Sequence, residues 1–147
     1  MKLARAIHFD ESDTRVYSNS ARTGEWCVSG GFEFSNWSEA DLDGKAKQAF
    51  SNGWFGLETS GRVTFVAVAK VTSQEVSHLE GLLADHFVTY YGAPSKELAI
   101  PVASDELQAM ADLCDEHDDN TLLVVSRELT EAGVKETFRI IDPEEAG

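Results

Sequence analysis

The fold class is decided by residues 62–91, which read RVTFVAVAKVTSQEVSHLEGLLADHFVTYY. Residues 63–69 are apolar with little alternation, which predicts a strand in the middle of a sheet, covered on both sides. Thr72-Ser73-Gln74-Glu75 matches a capping box and predicts the start of a helix. That helix is amphipathic, because five apolar residues fall in one arc of about 80° on a helical wheel: Val76, Leu79, Leu83, Phe87 and Tyr90.

Upstream of this stretch, alternation and turn residues predict further strands and one helix. Segments 3–9 and 15–17 are predicted as short strands on either side of the acidic turn 10–13, and segment 25–34 as a longer strand with a bulge at Gly30-Gly31. A helix is predicted from Ser38 to Asn52, ending at Gly53. Segments 54–59 and 62–71 then form a hairpin around Ser60-Gly61.

Downstream, the pattern predicts a third helix and a closing hairpin. Ser104 is the expected cap of this helix, whose apolar face holds Leu107, Met110, Ala111 and Cys114. Segments 121–129 and 134–141 are predicted to pair as a hairpin, and residues 142–147 to form a loose tail. We therefore expect a single α+β domain over residues 1–147, with a mainly antiparallel sheet of six or seven strands and three helices packed on it.

Charge is distributed unevenly along the chain. Residues 1–72 hold nine acids and eight bases, whereas residues 73–147 hold seventeen acids and four bases, within a net charge of −14. Such acidity repels phosphate backbones and anionic lipid surfaces, so we expect neither nucleic-acid nor membrane binding. The expected partner is instead a basic protein surface.

The N-terminus and the two cysteines indicate a cellular compartment. Arg5 and His8 interrupt the apolar start before a signal-peptide core forms, and no stretch approaches the roughly 20 apolar residues of a membrane span. Cys27 and Cys114 are too few for a disulfide framework, so they are expected to be reduced. The sequence thus predicts a soluble, cytoplasmic protein.

The first candidate site is an acidic surface over residues 97–119, centred on the third helix. Asp105, Asp112 and Glu116 line up nearly opposite its apolar face, where they could attract a basic partner. The simpler interpretation is a solvated face that maintains solubility.

The second candidate site is aromatic. Ten of the 14 aromatic residues precede Thr72, and Trp26, Trp37 and Trp54 fall within 29 residues. Together with His86 they could line a ligand pocket, although such side chains more often fill a core. Trp37, in a polar context, is the tryptophan expected to be partly exposed.

Catalytic and metal-binding signals are weak. Cys114 and His117 are three residues apart on the third helix, but no second ligand segment accompanies them. The sequence contains no G-x-S-x-G, phosphate-binding glycine loop, H-E-x-x-H or paired C-x-x-C motif. We therefore predict no metal and no cofactor, and we favour a protein that is not an enzyme.

Two stretches carry a resemblance. MKLARAIHFDESD (1–13) and GEWCVSGGFEFSNWSEADLDGKAKQAFSNGWFG (24–56) resemble a small bacterial family of acidic proteins known only as a domain of unknown function. The resemblance implies a compact domain in a bacterium, with no activity or cofactor to transfer.

Two hypotheses follow. The first is a non-enzymatic accessory protein that binds a protein partner through the acidic surface. The second is a small-molecule-binding or enzymatic domain whose pocket uses Trp26, Trp37 or Trp54, with His86 as a polar group. A homodimer through a strand edge or the aromatic half is a further expectation.

Overall fold

The apolar run of residues 63–69 is divided between two strands: residues 65–69 lie in an inner strand of a sheet, as predicted, whereas Val63 lies in a two-residue strand at the edge of the sheet. The structure, a computed structural model, describes residues 1–9 and 12–142. Its seven strands are β1 (Lys2–Ile7), β2 (Trp26–Val28), β3 (Trp54–Gly56), β4 (Arg62–Val63), β5 (Phe65–Lys70), β6 (Leu122–Thr130) and β7 (Gly133–Ile141). All pairs are antiparallel in the order β4-β3-β2-β1-β5-β6-β7, and the sheet curls into a half-barrel.

Four α-helices accompany the sheet: α1 (Ser12–Val16), α2 (Gly44–Asn52), α3 (Ser73–Tyr91) and α4 (Lys96–Asp115). Three of them have seven or more residues, so the predicted α+β domain with three helices is confirmed. Helix α4 packs on β1 and β2, α3 packs on α4, and α2 packs on β6. Two one-turn 3-10 helices, Gly31–Phe34 and Glu39–Asp41, lie between β2 and α2.

The inner strand β5 buries both of its faces, as its sequence predicts. Val66 pairs with Leu123 and both belong to the main core, whereas Ala67 pairs with Leu122 in a separate, smaller cluster. Successive residues of a strand point to opposite faces, so the two clusters lie on opposite sides of the sheet. The α3 capping box forms as predicted, because Thr72 Oγ1 accepts from the backbone N–H of Glu75 at 3.1 Å.

Three predicted strands are wrong. The predicted hairpin strand 62–71 is two strands, because β4 pairs with β3 whereas β5 pairs with β1 and β6. Of residues 15–17, the first two belong to α1 and Tyr17 follows it; the buried Asp13 accepts a hydrogen bond from Thr64 at 2.9 Å, and the Tyr17 amide donates to the Asp13 carbonyl. The strand predicted over residues 25–34 ends at Val28. Gly30 adopts φ 74°, and a side chain there would collide with Phe55, so the chain turns into a 3-10 helix.

Two predicted helix starts are also wrong. The helix predicted from Ser38 is a single 3-10 turn, and α2 begins only at Gly44, although it ends at Asn52 as expected. Helix α4 begins at Lys96 instead of after Ser104, because Ser95 caps it by accepting from the Leu98 amide at 3.2 Å. Pro101 lies inside this helix, where the sequence pattern favours a break. Of the predicted acidic turn, positions 10 and 11 lie outside the described residues, as does most of the predicted tail, residues 143–147.

Two buried arginines tie the curled sheet to the segments that follow β2. The Arg127 guanidinium donates to the carbonyls of Phe50 and Gly53 at 3.0 and 2.8 Å, and to the Glu136 carboxylate at 2.7 Å. Arg62 also donates to the Gly53 carbonyl, at 3.0 Å. These bonds fix the end of α2 relative to the strands β4 and β6.

Candidate functional site

One side of α4 carries an apolar stripe that the core does not cover. At about 100° per residue, Leu98, Val102, Glu106, Ala109 and Leu113 fall within about 80° of one another, beside the buried face of the helix. Leu98 and Val102 are 64% and 52% exposed, which is unusual for aliphatic side chains on a helix that packs on a sheet. The stripe forms one wall of a groove.

The opposite wall near Leu98 is aromatic. Phe32 packs edge-to-face on Phe87 and Tyr91, with ring centroids 5.1 and 5.8 Å apart. Helix α3 ends at Tyr91 and is capped by Gly92, which adopts φ 71°, and the short connection to α4 closes this end of the groove. The resulting cavity of about 330 Å³ is lined by Phe32, Phe87, Tyr91, Ala93, Pro94, Leu98, Ala99, Val102 and Glu106.

A second cavity continues along α4 toward β7. It has a volume of about 300 Å³ and is lined by Ser29, Glu106, Ala109, Met110, Leu113, Glu136 and Phe138. Phe138 is stacked on the buried Trp54, with ring centroids 5.6 Å apart. Glu106 lines both cavities, so the two adjoin. Together we name them the α4 groove; from Leu98 to Leu113 it follows about 22 Å of helix.

Glu106 is the one ionisable residue shared by the two cavities. It is half-buried, and within the described residues its carboxylate makes no hydrogen bond or ion pair. Burial raises its pKa, and the neighbouring carboxylates of Glu136 and Asp105 act in the same direction. The middle of a largely apolar groove therefore holds an acid without a counter-charge, whereas Glu136, which also lines the groove, is paired with Arg127.

The predicted acidic residues border this groove. All three predicted acids are exposed: Asp105, Asp112 and Glu116. On a helical wheel they lie at the Leu98 edge of the stripe. Asp112 accepts a hydrogen bond from Gln108 at 2.9 Å. The structure thus places the three predicted acids in one row beside the α4 groove.

The four predicted ligand residues do not share a cavity among those described. Trp26 is buried beneath the Arg5 guanidinium, 4.0 Å from its ring, and donates through Nε1 to Glu75 at 3.1 Å. Trp54 is fully buried, whereas Trp37 lines two cavities with volumes of about 210 and 470 Å³. His86 lies on α3 among aromatic rings, with Nδ1 3.3 Å from Ser60 Oγ.

Two buried polar atoms lack partners in the described part of the chain: Trp54 Nε1 and His86 Nε2. His86 contacts Phe32, Phe87 and Tyr91, the aromatic wall of the α4 groove. Burial lowers its pKa, with Glu33 opposing and Arg62 reinforcing the effect. His86 thus packs against the aromatic wall of the α4 groove.

The cysteines lie in the interior. Cys27 and Cys114 are both buried and unpaired, and burial raises the pKa of each thiol, that of Cys114 to about 12. Across the described residues, no three His, Cys, Asp or Glu side chains are grouped as a metal ion requires. None of the helices in that part of the chain has the length and apolar character of a membrane crossing.

Sequence analysis missed Leu98 and Val102 because it placed the start of the helix at Ser104, and it included Glu106 only as part of the acidic surface over residues 97–119. With the start at Ser95, the four-residue spacing of positions 98, 102 and 106 would have shown a second apolar stripe beside the core face. Phe32 gave no such signal, because its position in a 3-10 turn follows from the backbone at Gly30.

The chain resembles one known protein family. One family model matches it over residues 1–147, and that family has no assigned function. No curated protein and no solved structure matches the chain.

Proposed function

The chain belongs to the family of unknown function DUF6505, and since membership brings no activity with it, we propose a function from the geometry: the protein binds a basic, amphipathic segment of a partner protein in the α4 groove. The observation that carries the proposal is the exposed apolar groove with a row of three acids along its border. A contiguous exposed apolar surface with a polar rim is typical of an interaction site.

Shape and charge together favour this class of partner. A helix laid along about 22 Å of groove would present apolar side chains at i, i+3 and i+4 to the stripe. Its basic side chains would then meet Asp105, Asp112 and Glu116, which attract a cation over roughly a Debye length. An acidic or neutral segment would gain the apolar contacts without this attraction.

The test uses a defined probe, a fluorescent 15-residue helical peptide with leucine on one face and lysine on the other. We expect it to bind by fluorescence anisotropy at low ionic strength and to weaken as salt rises. The same peptide with glutamate in place of lysine should not bind. Equal binding of both peptides, or of neither, contradicts the proposal.

Variants of the groove give a matched comparison. Val102→Glu places a charge among the apolar contacts and should weaken binding about tenfold or more. Thr89→Glu adds the same charge at an exposed position of α3 that lines neither cavity, and should bind as the unaltered protein does. Pull-down of a cellular protein that elutes with salt and is lost with Val102→Glu would then identify the natural partner.

A second candidate function, binding of a small anionic molecule, is favoured by the cavity of about 210 Å³. Trp37 and Phe34 give it an aromatic wall and Lys45 gives it positive charge, while Arg62 in the same lining is paired with Glu33. A ligand bound there should raise the melting temperature of the protein but not of Lys45→Ala. If no compound in a panel of anionic metabolites stabilises the protein, this function is contradicted.

A further inference from the structure

Glu106 lies between two largely apolar parts of the α4 groove. Toward Leu98 its neighbours are the aromatic rings of Phe32, Phe87 and Tyr91, and toward Leu113 they include Met110, Phe138 and Glu136, whose carboxylate is paired with Arg127. A bound segment that follows the whole groove must therefore pass one carboxylate without a counter-charge, that of Glu106, between its apolar contacts.

The chain itself supplies no cation to this carboxylate in the part that the structure describes. Arg127 is engaged by Glu136 at 2.7 Å and by backbone carbonyls, and Lys96, at the start of the same helix, is 3.3 Å from Asp85. The charged groups that do act on Glu106 are the carboxylates of Glu136 and Asp105, and both repel it. A half-buried, unneutralised carboxylate costs stability, and a partner cation would remove that cost.

We propose that the α4 groove selects a segment with one cationic side chain between two apolar anchors, and that Glu106 pairs with that cation. This inference rests on the proposed function and adds to it the position of a specific contact. The acidic row along the border accelerates encounter with any basic surface, whereas a partly desolvated pair inside the groove discriminates among basic segments.

The test is a double-mutant cycle with two peptides. Both are the leucine and lysine probe with one residue changed in the middle of the apolar face, to lysine in one peptide and to norleucine in the other. Glu106→Gln should weaken binding of the central-lysine peptide about tenfold, and leave the norleucine peptide unchanged or bound more tightly. The control Glu131→Gln, which removes an exposed charge from the β6–β7 turn, should affect both peptides equally and little.

Each outcome has one meaning. A selective loss with the central-lysine peptide supports the pairing. If both peptides bind and Glu106→Gln changes them by the same factor, the pairing is overturned and the groove remains a binding site. If neither these peptides nor the original probe bind, the proposed function itself fails.

The stability of Glu106→Gln separates a binding role from a structural one. Because the folded state raises the pKa of this carboxyl, its charged form opposes folding above the ordinary value near 4.5. Glu106→Gln should therefore melt at a higher temperature than the unaltered protein at neutral pH, with the difference vanishing in acid. A lower melting temperature at neutral pH would indicate that Glu106 supports the fold, and would contradict the inference.

Discussion

Arg62 and Arg127 are two buried cations that share one aromatic ring. Their guanidinium carbons lie 4.7 and 5.2 Å from the centroid of Phe34. Glu33 and Glu136 each pair with one of them, and the remaining bonds go to backbone carbonyls. Burial lowers the pKa of Arg127 to about 10, and the charge of Arg62 acts in the same direction. The arrangement is stable because each guanidinium is paired with a carboxylate and also donates to backbone carbonyls.

We expect Arg127→Lys to destabilise the protein by about 3 kcal/mol. Lysine keeps the charge, but its single ammonium cannot reach the carbonyls of Phe50 and Gly53 and the Glu136 carboxylate together. Urea unfolding measures the loss. The exposed Arg22→Lys is the control and should change the free energy of unfolding by less than about 1 kcal/mol; an equally small effect of Arg127→Lys would mean that the buried bonds contribute little.

His86 gives the stability of the protein a pH dependence. Since burial lowers its pKa below 6.5, the unfolded chain binds a proton more readily than the folded one as the pH falls through that value. Stability contributed by the neutral ring is thus present above about 6.5 and declines in acid. We expect His86→Phe to become more stable relative to the unaltered protein as the pH falls from 8 to 5.5. The free energy of urea unfolding at the two pH values measures this. A stability difference between the two proteins that stays the same from pH 8 to pH 5.5 would contradict this prediction.

At the scale of the element, α3 shows what local sequence determines. Its start, its glycine end and most of its apolar arc were predicted, because each depends on contacts within a few residues. Tyr90 was wrongly placed in that arc; it lies in the last turn of the helix and is 71% exposed. Thr72→Ala should cost about 1 kcal/mol, since it leaves the Glu75 amide without its cap. Thermal unfolding measures this cost, and Ser73→Ala, at the first helical position, is the control. An equal loss of stability in the two variants would show that the capping bond does not contribute to stability.

Other elements depend on distant residues, and these the sequence could not predict. β2 stops at Val28 because Phe55, from a neighbouring strand, leaves no room for a side chain at Gly30. Helix α4 continues through Pro101 because its buried face packs on β1, and this gain exceeds the loss of one backbone bond. The wrong start predicted for α4 also concealed the groove. The row of Asp105, Asp112 and Glu116 was nevertheless predictable, because a helical wheel requires only the correct period.

At the scale of the whole molecule, excess negative charge opposes folding. Asp112 and Glu116 are like charges four residues apart on a helix that carries few bases, and Asp105 extends the row. The triple variant Asp105→Asn, Asp112→Asn, Glu116→Gln should be more stable by about 0.5 to 1 kcal/mol at low ionic strength, and by less as salt screens the repulsion. The melting temperature measured against salt tests this, and a gain independent of salt would rule out electrostatic repulsion as its origin.

The two buried thiols can report how the protein unfolds. Cys27 lies in β2 and Cys114 near the end of α4, so neither sulfur meets an alkylating reagent such as iodoacetamide until the sheet or the helix layer opens. Mass spectrometry counts each modified molecule, and the two sites are resolved by peptide. Both sulfurs belong to the main core, so equal labelling rates indicate that the whole core opens in one step, and unequal rates indicate that one of the two elements opens before the other.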